Sequence, residues 1–185
     1  MTRITRISLG LMLVALVSAP ALARDEQTDL QLFKHISDAV LRYPRFTVFD
    51  DVSASVDQGV VTLAGKVTMP FKRTDIEDRV ARVPGVKRVD NAIKVLPVSI
   101  ADDDLRYCIA RAIYGNSAFW QYATMSNPPV HVIVERGRVT LTGVVNNNVE
   151  RMLARSLAAG FGEFSITSEL KTDSEVKSAL EKLGM

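Results

Sequence analysis

Two stretches of this chain repeat one another. Val56-Asp57-Gln58-Gly59-Val60-Val61-Thr62-Leu63-Ala64-Gly65-Lys66-Val67 aligns without a gap on Val134-Glu135-Arg136-Gly137-Arg138-Val139-Thr140-Leu141-Thr142-Gly143-Val144-Val145, 78 positions later. Val52 and Ala54 extend the match upstream to Val130 and Val132. Downstream the spacing reads as 77, which sets Ile76 and Val80 on Leu153 and Leu157, Gly85 on Gly162, Val89 on Ile166 and Ile93 on Leu170. At the front, Asp29-Leu30 pairs with Asp104-Leu105 at a spacing of 75. A period of this size means that each copy is one structural unit. The 185 residues (20.4 kDa) leave room for two small domains, each able to bury a core.

Each copy reads as helix, hairpin, helix, strand. In the first, Leu30, Phe33, Ile36 or Ser37, and Val40 lie near one helical face. Tyr43-Pro44 ends that helix, because proline pushes the preceding residue out of the α region. Val52, Ala54 and Val56 alternate as a strand, and Val61, Leu63 and Val67 do so again. Gly59 and Gly137 supply the positive φ of a tight hairpin turn. Gly65 and Gly143, inside the second strand, suggest a bulge or the close approach of a neighbouring helix. Pro70 suits the first turn of the next helix, whose apolar stripe is Ile76, Val80 and Val83. Pro84-Gly85 ends it before a last strand with Val89, Ile93 and Val95 on one face, of undetermined direction.

Copy two repeats this order with Asn148 as N-cap, Val149, Leu153 and Leu157 as the helix stripe, and Phe161-Gly162 in place of Pro-Gly. Its front is longer. Leu105, Cys108 or Ile109, and Ala112 form a helix, followed by the aromatic segment Phe119, Trp120 and Tyr122. Thr172-x-x-Glu175 opens a last helix as a capping box, with Val176, Leu180 and Leu183 on its apolar side. The element order expected is therefore αββαβ, twice in tandem, an α+β chain. The domains are 24–96 and 97–171, with a C-terminal amphipathic helix at 172–185.

Residues 1–23 read as a cleavable secretory signal. Arg3 and Arg6 form the basic start, Ile7 to Val17 the apolar run, and Ala21-Leu22-Ala23 the cleavage motif, with cutting after Ala23. The apolar run is shorter than the roughly 20 residues a membrane span needs, and no later stretch is apolar enough to span. The expected location is the periplasm. Of 23 basic residues two leave with the signal, so 21 remain against 21 acidic ones. That balance argues against a nucleic-acid partner. A single cysteine excludes an intramolecular disulfide framework and a Cys-rich zinc site.

These residues resemble the BON domain (bacterial OsmY and nodulation) family. The resemblance rests on the apolar-x-apolar strand, the turn glycine, Val-Thr-Leu-x-Gly-x-Val and the closing strand that follows Gly85 or Gly162. It covers residues 29–171, and Pro128 to Val145 looks especially like the periplasmic, osmotically inducible members. Copy two departs at Phe161 and Glu163, which bears on the shape of that turn. The resemblance implies two tandem small αββαβ sandwich domains, each with two helices packed on a three-stranded sheet, and a non-enzymatic protein of the cell envelope. It also implies an association with osmotic or envelope stress and with phospholipid binding.

No catalytic centre, cofactor motif or metal pattern is legible. His35 and His131 stand in different copies, and His131 faces away from Val130 and Val132. Cys108 reads as a buried inert thiol, the alternative being an intermolecular disulfide in an oxidising compartment. Asp50-Asp51 and Asp102-Asp103-Asp104 lack calcium-loop spacing and read as loop and helix-start charges. The binding candidate is the basic segment Lys66 to Arg88. Its Lys72, Arg73, Arg79, Arg82, Lys87 and Arg88 could attract an anionic phospholipid surface, each cation contributing roughly 1 kcal/mol. The competing reading is a solvated helix face with mixed ion pairs. Tyr43, Phe46 and Phe49 form a second candidate as an exposed apolar set, although sheet packing would claim Phe46 or Phe49. An alternative function is a periplasmic protein-interaction or chaperone-like module, working through Phe119 to Tyr122 and the last helix.

Overall fold

The computed structural model describes residues 21–182. Most of the expected signal sequence (1–20), and Leu183 of the last helix, lie outside them. Helix α1 (Ala21–Leu41) leads into a hairpin of β1 (Asp51–Asp57) and β2 (Val60–Val67), then α2 (Pro70–Ala81) and β3 (Arg88–Val95). The second unit repeats the order with α3 (Ile100–Tyr114), a short α4 (Trp120–Ala123), β4 (Val130–Glu135), β5 (Arg138–Val145), α5 (Asn148–Leu157) and β6 (Ser165–Ser168). A two-residue β7 (Lys171–Thr172) and α6 (Asp173–Lys182) close the chain. The fold is α+β, two small sandwiches in tandem, each with its own apolar core.

In both units the hairpin is antiparallel and the last strand runs parallel to the central one. A parallel neighbour requires a crossover, and α2 and α5 are those crossovers. Each hairpin turn has two residues at positive φ: Gln58 (48°) and Gly59 (81°), then Arg136 (54°) and Gly137 (72°). That is the primed two-residue turn whose twist matches its strands. An aspartate of the first helix accepts hydrogen bonds from both turn amides, Asp29 within α1 in unit one and Asp102 in the first turn of α3 in unit two. Gly65 and Gly143 answer to the edge strand, not to a helix. A Cβ there would lie 2.1 Å from the Asp51 carbonyl oxygen or 1.8 Å from that of Pro129.

These contacts correct the register of the repeat. The turn-holding residues are Asp29 and Asp102, and the buried helix positions are Leu32, Ile36 and Val40 against Leu105, Ile109 and Ile113. The spacing at the front is therefore 73, not 75, and five extra residues fall between α3 and β4. In α2 and α5 the N-caps are Met69 and Asn147, and the most buried positions are Ile76 and Val80 against Ala154 and Ala158. The spacing of 78 thus persists through the helix, and the deletion lies in the turn after it. Asn147, not Asn148, caps α5 by accepting from the Glu150 amide.

Phe119 and Tyr122 enter the second core fully. On α5, Ala154 and Ala158 are buried, Leu153 and Leu157 pack partly against that core, and Val149, expected in the stripe, is exposed like Phe71 at the matching position of α2. The last strand of unit two is interrupted at Glu169-Leu170 but resumes in the same register as β7. At α6, Thr172 and Glu175 make the reciprocal bonds of a capping box, and Arg151 of α5 pairs with Glu175.

Candidate functional site

The expected basic surface does not hold together. Lys72 is buried, with its side chain 7% exposed, and its Nζ lies 2.6 Å from Oδ2 of fully buried Asp50. Asp50 also accepts from the amides and hydroxyls of Thr47 and Thr68. An ammonium so placed ties α2 to the loop before β1 and is not available to a ligand. Asp50, read as a loop charge, is therefore a structural anchor. Arg79 is half-buried over the Tyr43 ring, 4.9 Å from its centroid. Arg88 pairs with Asp90 at 2.7 Å. Arg73, Arg82 and Lys87 remain exposed.

The aromatic set after α1 is not exposed either. Tyr43 is buried in the first core and donates to Asp75 at 2.5 Å; burial and that carboxylate push its hydroxyl up to about 12. Phe46 packs against the first core and also touches unit two, whereas Phe49 packs against the core of unit two. Phe46 lies 5.6 Å from the His131 ring and Phe49 5.1 Å from Tyr107. Between them, the Val132 amide donates to the Val48 carbonyl at 2.7 Å. This loop is thus a seam joining the units, supported by Asn127 donating to the Leu41 carbonyl at 2.8 Å. His131 sits in it beside a recess of about 140 Å³ lined by α1 and β1. Its Nδ1 finds no partner, and burial lowers its pKa, against the opposing pull of Asp50 and Asp51.

Cys108 is exposed, not buried. The α3 stripe runs through Leu105, Ile109 and Ile113, and position 108 points off it. Asp102 is buried as the turn anchor, whereas Asp103 pairs with buried Arg106, which also donates to the Val134 carbonyl. Of the aromatic segment only Trp120 is exposed.

The apolar surface lies elsewhere, on unit two. Val149 (75% exposed) and Met152 (67%) are one turn apart on α5, and Phe164 is 84% exposed at the start of β6. Met152 and Phe164, with Arg155, Ser156, Ala159 and Ile166, line an open groove of about 520 Å³ between α5 and β6. Phe161 is exposed in the adjoining turn. That turn is built differently from its counterpart in unit one. Where unit one inserts Val83 and Val86, unit two has Gly160 and Glu163, and the Glu163 carboxylate accepts from the amides of Gly160 and Phe161. Those backbone bonds hold Glu163 below the usual carboxylate range. Unit one has a groove in a different place, between α1 and α2, lined by Ala39, Asp75, Asp78, Arg79 and Arg82. The signal that could have found the unit-two site is the repeat itself: Met152 and Phe164 fall on Thr74 and Lys87, polar residues exposed in unit one.

Among the described residues no group of His, Cys, Asp or Glu is placed to hold a metal, and no helix is long and apolar enough to cross a membrane. The BON domain model matches residues 28–97 and 120–163. A search of the curated proteins finds no match. Among solved structures the chain is similar to CdsD, a structural protein of the type III secretion system of Chlamydia trachomatis. The identity is 15% over 82% of this chain and 97% of that one, with a TM-score of 0.29. The C-terminal domain of CdsD is matched at 14% identity over 83% and 98%, with a TM-score of 0.22. At those scores neither likeness bears on function.

Proposed function

The chain belongs to the BON domain family, and on that premise we propose that it is an exported, non-enzymatic protein of the cell envelope that binds anionic phospholipid. The observation that carries the reading is the exposed apolar edge of unit two, Val149, Met152 and Phe164, with Arg155 beside it. Contiguous exposed apolar side chains rimmed by charge mark an interaction surface. Aromatic and thioether groups next to arginine suit the boundary between headgroups and acyl chains. Arg73, Arg82 and Lys87 on unit one would add weak attraction, screened by salt.

Support of envelope integrity under osmotic stress, as in the periplasmic, osmotically inducible members, is the role we assign to that binding. Residues 1–23 act as the export signal in this reading. Co-sedimentation with vesicles of phosphatidylcholine, with and without phosphatidylglycerol, tests it. Binding that requires the anionic lipid and falls at least fivefold in Met152→Ser/Phe164→Ser supports it. No anionic preference at low salt refutes it.

A further inference from the structure

Where the units meet, the outer face of the first sheet stands beside the hairpin of the second. Lys66 on β2 reaches across to Glu135 on β4, with Nζ 2.7 Å from Oε2. The pair lines a cavity of about 230 Å³ together with Arg136 and Arg138 and the hydroxyl residues Thr140, Ser165 and Thr167. Three cations thus face one carboxylate. Among the described residues neither arginine has an ion-pair partner. Lys94, the register neighbour of Lys66 on β3, adds to the positive field, and with Lys66 and Arg136 it keeps Glu135 below the usual carboxylate range. Asp51, opposite Lys66 on β1, lines the recess beside His131 instead.

The mounting is firm. Arg136 stands in the two-residue turn, and its own amide donates to the buried Asp102 at 2.8 Å. Arg138 is fixed by its pairing with Glu135 and Ser165 in the sheet. Like charges gathered by a rigid scaffold focus the field on the space between them. Guanidinium forks match the spread oxygens of a phosphate, and hydroxyls supply further donors.

We infer that this cavity between the units binds a phosphate-bearing anion, with Arg136 and Arg138 as its guanidinium donors and Lys66 as the third cation. Glu135 holds Lys66 beside the cavity. Because Lys66 belongs to unit one and the arginines to unit two, the bound anion fixes the units against each other. The phosphate has two possible sources, a soluble phosphoester or a lipid headgroup; only the second rests on the membrane reading above.

The test uses the full two-unit chain at low salt. Titration calorimetry with glycerol 3-phosphate is run beside co-sedimentation with phosphatidylcholine vesicles, with and without phosphatidylglycerol. The variants are Arg136→Ser/Arg138→Ser, Glu135→Gln and Met152→Ser/Phe164→Ser. Their circular dichroism and Tm are checked against the parent, and the exposed positions should leave both unchanged. Each arginine lost should weaken phosphate binding about tenfold, and Glu135→Gln should tighten it. Soluble phosphoester binding that disappears in the arginine variant supports the site with a soluble ligand. Binding to anionic vesicles alone, lost in the same variant, supports it with a headgroup. Phosphoester binding that survives the arginine variant overturns the site, and so does anionic-vesicle binding that survives it when the phosphoester does not bind. If that vesicle binding then fails in Met152→Ser/Phe164→Ser, the membrane reading stands without it. No binding in either arm overturns both.

Discussion

Lys72→Ser separates a buried anchor from a surface cation more sharply than any other change to the chain. In the fold, Lys72 is the cationic partner of an Asp50 that no solvent reaches. Removing one member of a buried pair costs about 3–5 kcal/mol, because the other is left charged and uncompensated. Asp50 would retain four hydrogen bonds, from the amides and hydroxyls of Thr47 and Thr68. The lower end, about 3 kcal/mol, is therefore the expected loss. If unit one melts by itself, that corresponds to a Tm lower by roughly 12–24 °C, and to about half of that if both units melt together. Scanning calorimetry reads the shift directly. The loop that Asp50 organises also offers the Val48 carbonyl to the Val132 amide across the seam, so amide exchange at Val132 should quicken in the variant. Asp50→Asn combined with Lys72→Met should recover at least half of the loss, since the charge and its partner leave together. A Tm within about 2 °C of the parent, accompanied by weaker binding to anionic vesicles, would refute the reasoning and return Lys72 to the surface.

Two other changes probe the backbone and the seam. Gly143→Ala sets a Cβ 1.8 Å from the Pro129 carbonyl oxygen; the strand must shift, and the urea midpoint should fall by the equivalent of about 3 kcal/mol or more. Gly160→Ala is the control, with positive φ but open space, and should cost only about 1 kcal/mol. His131 is held neutral by burial, its pKa below the ordinary 6.5. A depressed histidine contributes stability that is complete above the unfolded value and is lost as pH falls through the folded one. Urea stability should therefore drop between pH 7.5 and pH 5, and His131→Asn should flatten that drop; an unchanged slope in the variant would clear His131 of the effect.

The fold was legible where one residue type answers one geometric need. Gly59 and Gly137 mark turns, and the alternation of Val61, Leu63, Val139 and Leu141 marks half-buried strands. Helix phase was harder, because Leu30, Phe33 and Ile36 fit a stripe about as well as Leu32, Ile36 and Val40. What decides the matter is the aspartate that must reach a hairpin turn some thirty residues away. The same long-range constraint moves the register at the front from 75 to 73. Lys72 was misjudged because lysine is seldom buried unless paired, and its partner stands 22 positions upstream in a loop. Cys108 erred the other way, its apolar neighbours suggesting a core that the helix turns toward Leu105 and Ile109 instead.

Comparing the two units shows where function has room to reside. Their hairpins, glycines and core positions are shared, which is what a repeated fold requires. Their polar anchors are not. Position 72 is a lysine bound to the loop carboxylate, whereas its counterpart 78 residues on, Glu150, is itself the carboxylate, accepting from Tyr122 and the Asn146 amide. At the surface, Val149 and Met152 on α5 stand where α2 carries Phe71 and Thr74, and all four are exposed. Lys87, where unit two has Phe164, is likewise exposed, so the fold leaves these positions at the surface in both units. The apolar edge and the arginine pair both flank β6. Duplication supplied a second scaffold, and the divergence of its surface positions, Thr74 to Met152 and Lys87 to Phe164, is what placed an exposed apolar edge there.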